Sequence, residues 1–468
     1  MSKKIMNRRK FLGLTGCAAM GTTTFFSSIA NLSMANALAM PIAAPPPNDY
    51  KALVCILLSG GNDSFNMLVP KSTGEYAEYS TARSNLALSS SSLHNLNFTD
   101  TNGKQFGVHG NMPEVAQMFN NNKLSFVSNV GTLIEPTSVA QYNAGNFGLP
   151  LGLYSHADQI QQWQTSIPNQ RSARGWGGKM ADIMNSVNNN PDLSMSISLA
   201  GTNIFQQGNN TIEFSIENYG NGSKGIELFE STDPLGIILK NGVQNILDQN
   251  YQDIFKKTFA DRIKNSQSTH EVFSGAIGAV SPFATNFSAS KLSQDLKMVA
   301  KTIAASDTLG MHKQTFFVNY GGWDHHDELL NNQENMLSVV SKAMSEFQAT
   351  MEELNIDDKV TTFTISDFAR TLTSNGNGTD HAWGGNVMVM GGDINGGQVF
   401  GEYPDLALNT GLDLGGGVML PTTSTDEYFA ELALWFGVSP SDLVNLLPNI
   451  GNFYSAGSIT PPVGFMNI

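Results

Sequence analysis

The sequence has 468 residues, of which 41% are apolar, and its formal net charge at pH 7 is −14. This length suffices for one large core or for two domains. The acidic balance argues against a nucleic-acid partner, because no basic stripe is available to neutralise phosphates. Two cysteines, Cys17 and Cys55, are too few for a disulfide framework, so core packing must supply most of the stability.

The first 39 residues have the pattern of an export signal. Asn7–Leu12 (NRRKFL) resembles the twin-arginine export motif, and a modestly apolar stretch follows and ends in small residues that fit A-x-A cleavage. Polar residues and glycines interrupt this stretch, which disfavours a permanent membrane span. Leu14–Cys17 (LTGC) fits a lipoprotein box, but it lies too close to the arginine pair, so a lipid anchor at Cys17 is disfavoured. We predict a twin-arginine signal peptide over residues 1–39, export to the periplasm or beyond, and a single domain over residues 40–468.

Three apolar runs end in turn sequences that each carry an aspartate. The runs are continuous rather than alternating, which is typical of strands buried on both faces of a parallel sheet. They cover residues 52–58, 314–318 and 359–365, and the aspartates that follow them are Asp63, Asp324 and Asp367. A fourth run, residues 124–130, ends without an acid.

Amphipathic helices are predicted beside two of these strands. Apolar residues recur at helical spacing in Glu334–Leu354, between the second and third runs, and in Leu292–Ile303, ahead of the second. This order predicts an α/β fold with a largely parallel central sheet and helices on both faces. Because ligands bind beyond the carboxyl ends of the strands in such sheets, we expect the three aspartates to converge on one site.

Histidines accompany the aspartates in two places. Tyr320–Asp327 reads YGGWDHHD, and the glycine-rich segment Asn375–Gly385 carries the pair Asp380-His381. Carboxylate oxygens together with imidazole nitrogens suit Zn²⁺ or Mn²⁺, whereas an all-oxygen set suits Mg²⁺ or Ca²⁺. Each aspartate alone is more often an N-cap or turn residue, and YGGWDHHD alone fits a hydrogen-bonded turn. The combination predicts a metal site.

Several motifs, in this order, resemble the "domain of unknown function 1501" family of twin-arginine-exported bacterial proteins, which are similar to the alkaline phosphatase and sulfatase superfamily. The segments are LVCILLSGGNDSFNMLVP, YSHADQIQQWQTS, RGWGGKMADIM, FFVNYGGWDHHDELL, TISDFARTLTSNGNGTDHAWGG and LALWFGVSPSDLVNLLPNIGNF. The resemblance covers nearly all of residues 50–455. It is weakest in about 185–285, which we interpret as an insertion.

The resemblance implies an alkaline-phosphatase-like sandwich with one or two divalent ions, Zn, Mn, Mg or Ca, at the strand ends. It implies as metal ligands Asp63, Asp324, His326, Asp367 and His381. His325 stays open as an alternative to His326. Phosphatases of the superfamily commonly have His after the acid that corresponds to Asp367, and here Phe368 makes a second metal position poorer in nitrogen. The sulfatase Cys/Ser-x-Pro-x-Arg motif is absent, which weakens the case for an ordinary sulfatase.

The superfamily's hydrolases attack with a side-chain nucleophile at a helix N-terminus beside the metal, where metal and helix dipole favour the alkoxide. Ser155 opens an amphipathic segment and is our predicted nucleophile, with His156 for orientation or proton transfer; the alternative for Ser155 is an ordinary N-cap. Ser64 and a water molecule are the other candidates. Arg370 is predicted to grip an anionic oxygen or, equally, to pair with a neighbouring acid.

These inferences predict an exported metal-dependent hydrolase acting on phosphate or sulfate esters of a small molecule or a polymer. The first alternative is a non-catalytic metal-binding protein of the envelope or associated with polysaccharide. The second is a phosphotransferase or mutase, which would pass the group to an acceptor other than water. The sequence leaves substrate and oligomeric state open.

Overall fold

The computed structural model describes residues 49–468, so the predicted signal peptide lies outside the described residues. The strands are β1 Lys51–Leu58, β2 Leu68–Pro70, β3 His94–Thr99, β4 Gln105–Val108, β5 Leu124–Gly131, β6 Ser196–Ser198, β7 Phe214–Ser215, β8 Lys313–Asn319, β9 Val360–Ser366, β10 Gly385–Gly391, β11 Val399–Phe400 and β12 Thr423–Ser424. The α-helices are α1 Ser64–Met67, α2 Thr73–Arg83, α3 Pro113–Asn120, α4 Val139–Ala144, α5 His156–Thr165, α6 Trp176–Met184, α7 Glu227–Glu230, α8 Pro234–Leu247, α9 Ile254–Gly278, α10 Lys291–Ala304, α11 Leu329–Glu353, α12 Thr425–Phe436 and α13 Leu443–Leu446.

A large central sheet organises the described part of the chain. Its strand order is β11-β5-β10-β9-β1-β8-β6-β7, and β12 also pairs with β5. Strand β1 lies between β8 and β9 and is parallel to both. Strand β10 is antiparallel to both of its neighbours, whereas the remaining pairs in this sheet are parallel. A small second sheet has the order β2-β4-β3.

The apolar runs of the sequence form the centre of this sheet. Every residue of β1 after Lys51 is buried, so the sheet is covered on both faces there, as its unbroken apolar sequence predicted. The predicted helices are present as α10 and α11, which pack against each other, and α10 also contacts β8. The predicted α/β class with a mostly parallel central sheet is confirmed.

The direction of each strand decides which loops meet. Strands β1, β8 and β9 are parallel neighbours, so the segments that follow their carboxyl ends share one edge of the sheet. Because β10 runs the opposite way, the loop that leads from β9 into Gly385 stays at that same edge. The glycine-rich loop with His381 is thereby brought beside the segments that follow β1 and β8.

Two glycines allow these segments to approach closely. Gly60 has φ +120°, and a Cβ there would lie 2.6 Å from the backbone nitrogen of Asp324. At Gly378 a Cβ would lie 2.3 Å from the backbone carbonyl carbon of His326. A larger residue at position 60 would push the loop with Asp324 away from the end of β1, and one at position 378 would push the two histidine loops apart.

Two further predictions concern the chain outside this edge. Within residues 49–468, no helix is both long and apolar enough to cross a membrane. The stretch at about 185–285, predicted to be an insertion, contains β6 and β7 of the central sheet together with α7, α8 and α9. Its origin as an insertion stays a prediction.

Candidate metal centre

Three imidazole nitrogens and one carboxylate oxygen converge at this edge of the sheet. The Nε2 atom of His381 lies 3.1 Å from that of His156 and 3.0 Å from that of His326. The Oδ1 atom of Asp324 lies 3.0 Å from Nε2 of His326, 3.5 Å from Nε2 of His156 and 3.6 Å from Nε2 of His381. These four atoms belong to three segments that are far apart in the sequence.

Each segment presents its side chain for a local reason. Asp324 and His326 follow β8, in a turn where the His326 N–H donates to the Asp324 carbonyl oxygen at 3.1 Å. His381 lies in the loop before β10, where an isolated bridge joins it to Arg370. His156 is the first residue of α5, so the start of that helix faces the same centre.

Hydrogen bonds at Nδ1 orient all three rings. Nδ1 of His156 lies 2.7 Å from its acceptor, Asp367 Oδ2. Nδ1 of His326 lies 3.2 Å from Asp380 Oδ1, and Nδ1 of His381 lies 2.8 Å from the Tyr154 carbonyl oxygen. An acceptor at Nδ1 fixes the proton there, which leaves the Nε2 lone pair free to face the centre. Carboxylate or carbonyl partners of this kind accompany histidines that bind metal.

The geometry and chemistry of these atoms fit a divalent cation. Zinc bonds of about 2.0–2.1 Å in a tetrahedral site require ligand atoms about 3.3 Å apart. The Nε2 atoms of His156 and His381 and the Oδ1 atom of Asp324 bracket that value, at 3.1 to 3.6 Å from one another, and form a group that could share one ion. Nε2 of His326 lies 3.0 Å from both Nε2 of His381 and Oδ1 of Asp324. Unprotonated Nε2 atoms at such separations repel one another and the carboxylate, and a cation removes this cost. A set that includes imidazole nitrogens suits zinc better than magnesium or calcium.

The protonation states also suit ligation. Partial burial opposes ionisation of Asp324, but the hydrogen bond and positive charge of Arg370 lower its pKa below the usual range. Burial, assisted by the charge of Arg370, lowers the pKa of His381. At neutral pH Asp324 is therefore ionised and His381 neutral. Between about a quarter and half of each of the four side chains is exposed, so the centre is open to solvent.

Arg370 is fully buried beside Asp324. Its Nε donates to the Gly61 carbonyl oxygen at 2.9 Å and its Nη1 to the Thr379 carbonyl oxygen at 3.0 Å. Its Nη2 donates to the Gly60 carbonyl oxygen and to Asp324 Oδ1. Of the two roles considered from the sequence, the contacts match the ion pair with a neighbouring acid. The guanidinium holds Asp324 and ties it to the end of β1.

Two predicted ligands, Asp63 and Asp367, lie outside the cluster. Asp63 is buried and accepts a hydrogen bond from Arg83 Nη2 at 2.6 Å. Asp367 is also buried; its Oδ2 faces His156 and its Oδ1 accepts from the Gly60 N–H at 3.1 Å. Sequence reasoning did not name His156 as a candidate ligand, because the preceding serine directed attention to a nucleophile, and it assigned no role to Arg83.

The remaining candidates differ in their surroundings. His325 is buried outside the cluster, with an Nδ1 atom that has no hydrogen-bond partner, so His326 is the histidine of this pair that faces the centre. Ser155 occupies the N-cap position of α5 and makes no side-chain capping hydrogen bond. Ser64 is buried, and its Oγ accepts the Asn386 N–H at 2.9 Å.

Fold and site define a mixed α/β protein with a histidine-rich candidate metal centre at one edge of its sheet. The model of a family described as "Protein of unknown function (DUF1501)" matches residues 247–429. This match confirms the resemblance seen in the sequence and spans Asp324, His326, Asp367 and His381, whereas Asp63 and His156 precede it. No curated relative matches the chain.

Solved structures with a partial likeness include three enzymes. PsFucS1 sulfatase from Pseudoalteromonas sp. is 9% identical, with coverage of 89% of this chain and 72% of that one and a TM-score of 0.36. The soluble domain of lipooligosaccharide phosphoethanolamine transferase A from Neisseria meningitidis is 8% identical, covering 84% and 90%, with a TM-score of 0.31. The lipoteichoic acid synthase LtaP from Listeria monocytogenes is 6% identical, covering 76% and 71%, with a TM-score of 0.30. Likeness at these TM-scores carries no inference about the reaction of this chain.

Proposed function

We propose that this chain is an exported, metal-dependent hydrolase of phosphate or sulfate esters. The observation that carries the proposal is the convergence of Nε2 of His156, Nε2 of His381 and Oδ1 of Asp324 within 3.6 Å of one another in a solvent-accessible centre. A divalent cation bound there would polarise an ester oxygen and stabilise the negative charge that develops during hydrolysis. The resemblance to phosphatases and sulfatases in the sequence motifs supports an ester of phosphate or sulfate as substrate.

We assign His156, Asp324 and His381 as the proposed ligands, and His326, beside the last two, as a further candidate. Asp63 and Asp367 stay predictions as ligands, and we leave them out of this set because their carboxylates are engaged with Arg83 and His156. The residues around the ligands have orienting roles. Asp367 and Asp380 hold protons at Nδ1 of two of the rings, and Arg370 fixes Asp324.

Ser155 is the proposed nucleophile. It precedes the ligand His156 at the N-terminus of α5, where the helix dipole favours an anionic oxygen, and no capping hydrogen bond occupies its hydroxyl group. Ser64 is a weaker candidate because it is buried and its hydroxyl group already accepts a backbone N–H. Direct attack by water is the alternative route, and it requires no hydroxyl group at position 155.

The test is turnover of aryl phosphate and aryl sulfate esters by the purified protein before and after chelation and metal return. We expect activity that disappears with chelation and returns with zinc or manganese. The variant Asp324→Asn should lose both metal and activity, whereas Asp327→Asn, in the same loop but outside the cluster, should keep both. Ser155→Ala should keep the metal and lose at least about a hundredfold in kcat if Ser155 is the nucleophile. Activity that survives complete metal removal would refute the proposal.

One observation favours a non-catalytic metal-binding protein as the second candidate. His326 lies beside the three ligands and, as a fourth one, would complete a tetrahedron as in structural zinc sites, whereas catalytic sites keep a position open or expand to five ligands. The solvent exposure of the four side chains argues for access by a substrate. A metal-loaded protein without turnover on any ester would favour binding alone. Transfer of the group to an added alcohol or sugar rather than water would favour a phosphotransferase or mutase.

A further inference from the structure

We propose that this centre holds a single divalent cation and that the buried guanidinium of Arg83 takes the place of a second one at Asp63. Two carboxylates, Asp63 and Asp367, follow neighbouring strands at the same edge of the sheet as the cluster, where a second cation would be expected to bind. Asp63 is paired with a guanidinium group, and both oxygens of Asp367 accept hydrogen bonds. The consequence for the substrate rests on the proposed function, whereas the number of cations does not.

The Asp63–Arg83 pair is enclosed by the protein. The two side chains are 1% and 0% exposed, and their closest atoms are 2.6 Å apart. Nη1 of Arg83 also donates to the carbonyl oxygens of Thr371 at 3.0 Å and Leu372 at 3.4 Å, in the segment that follows β9. These bonds fix the positive charge in place, at the end of helix α2. A cation bound at Asp63 would have to displace or face this charge.

The other groups nearby offer few donors to a second cation. Oδ2 of Asp367 accepts from His156 Nδ1 and Oδ1 accepts from the Gly60 N–H, so both oxygens are used. The next residue, Phe368, is apolar, and its ring centre lies 4.6 Å from the ring centres of His156 and His381. Oδ1 of Asp63 has no hydrogen-bond partner, but one oxygen beside a guanidinium does not make a cation site.

The charges of such a centre balance. Four carboxylates, those of Asp63, Asp324, Asp367 and Asp380, offset one divalent cation and the two guanidinium groups of Arg83 and Arg370. A doubly charged phosphate monoester would bring more negative charge than this neutral centre compensates, whereas a sulfate ester or a phosphate diester brings a single charge. We therefore expect singly charged esters to be the better substrates.

Native mass spectrometry of the full protein counts the cations directly. After incubation with zinc or manganese and removal of loosely bound ions, we expect one ion per chain, and two tightly bound ions would overturn the inference. The double variant Asp63→Asn/Arg83→Met removes the buried pair without leaving an unpaired charge. It should still bind one ion with affinity within about threefold of the wild type. A loss of the ion from this variant would identify Asp63 as a ligand and would equally overturn the inference.

A matched control and a substrate comparison complete the test. Lys104→Met/Asp405→Asn removes another ion pair of the same 2.6 Å length, outside the cluster and with an exposed aspartate, and should leave the count at one. If Asp63→Asn/Arg83→Met does not fold, the number of ions bound to the wild-type protein still tests the inference. Turnover of aryl sulfate and of a phosphate diester should exceed that of the phosphate monoester; the reverse order would refute the substrate class. Absence of turnover would count against the proposed function and leave the cation count decisive for this inference.

Discussion

Replacement of Asp367 by asparagine should weaken metal binding although we do not place Asp367 among the ligands. The carboxylate is 2% exposed and accepts two hydrogen bonds, from the Gly60 N–H at 3.1 Å and from His156 Nδ1 at 2.7 Å. An asparagine has one acceptor oxygen and one donor amide group. If the oxygen faces His156, the amide group meets the Gly60 N–H; if the amide group faces His156, the ring must carry its proton on Nε2.

Either arrangement disturbs Nε2 of His156, the nitrogen atom that faces the candidate metal centre. Loss of such a carboxylate partner typically lowers metal affinity by about 10- to 100-fold, which corresponds to about 1.4–2.7 kcal/mol. We expect a loss of this size in competition titrations of zinc against a chromophoric chelator. Circular dichroism should show that the variant is folded.

A second carboxylate serves as the matched control. Asp380 lies 3.2 Å from His326 Nδ1 and is 61% exposed, so water can replace it in Asp380→Asn, and the loss of affinity should be smaller. Zinc affinity of Asp367→Asn within about twofold of the wild type would refute the assignment of Asp367 as the residue that orients His156.

The remaining predictions concern stability. Arg83→Met should lower the free energy of unfolding by about 3–5 kcal/mol in urea denaturation, because it leaves the buried Asp63 charge unpaired. Adding Asp63→Asn to this variant should restore a large part of the lost free energy. A loss below about 1 kcal/mol in Arg83→Met would contradict the buried pair. Zinc at a hundredfold excess over its dissociation constant should stabilise the protein by about 2.7 kcal/mol, and a scanning calorimeter should find no such gain in His381→Ala. Complete burial raises the pKa of Asp426 to about 7, against the opposing hydrogen bond from Ser166. Because the folded state then holds a proton that the unfolded state has lost, this group's contribution to stability falls as the pH rises from about 4 to about 7. Asp426→Asn should remove this fall, so unfolding measured at pH 5 and pH 8 should show a growing advantage of the variant; parallel profiles would contradict it.

The parts of the site that follow apolar strands were accessible from the sequence. Continuous burial of β1 and β8 requires unbroken apolar runs, and the polar residues after them must lie at the sheet edge. For this reason Asp324 and His326 could be predicted to lie beside His381 before any distance was known. The family resemblance added the expected order of these segments along the chain.

The parts that depend on tertiary pairing were not accessible. Arg83 ends the amphipathic helix α2, where a basic residue is common, and nothing in that pattern indicates that it is buried against Asp63. The run at β10 does not reveal that the strand is antiparallel to its neighbours, although this direction keeps the His381 loop at the edge. His156 follows a serine at a helix start, a position that fits either a metal ligand or a proton donor. Only the distances from its Nε2 atom to the other candidate ligand atoms distinguish these two roles.

Diffraction data collected at the zinc absorption edge from crystals of the zinc-loaded protein test the central claim most directly. We predict one strong anomalous peak per chain, within about 2.0–2.2 Å of Nε2 of His156 and His381 and of Oδ1 of Asp324. A peak bound instead by Asp63 and Asp367, or the absence of any peak at this edge of the sheet in zinc-soaked crystals, would contradict it.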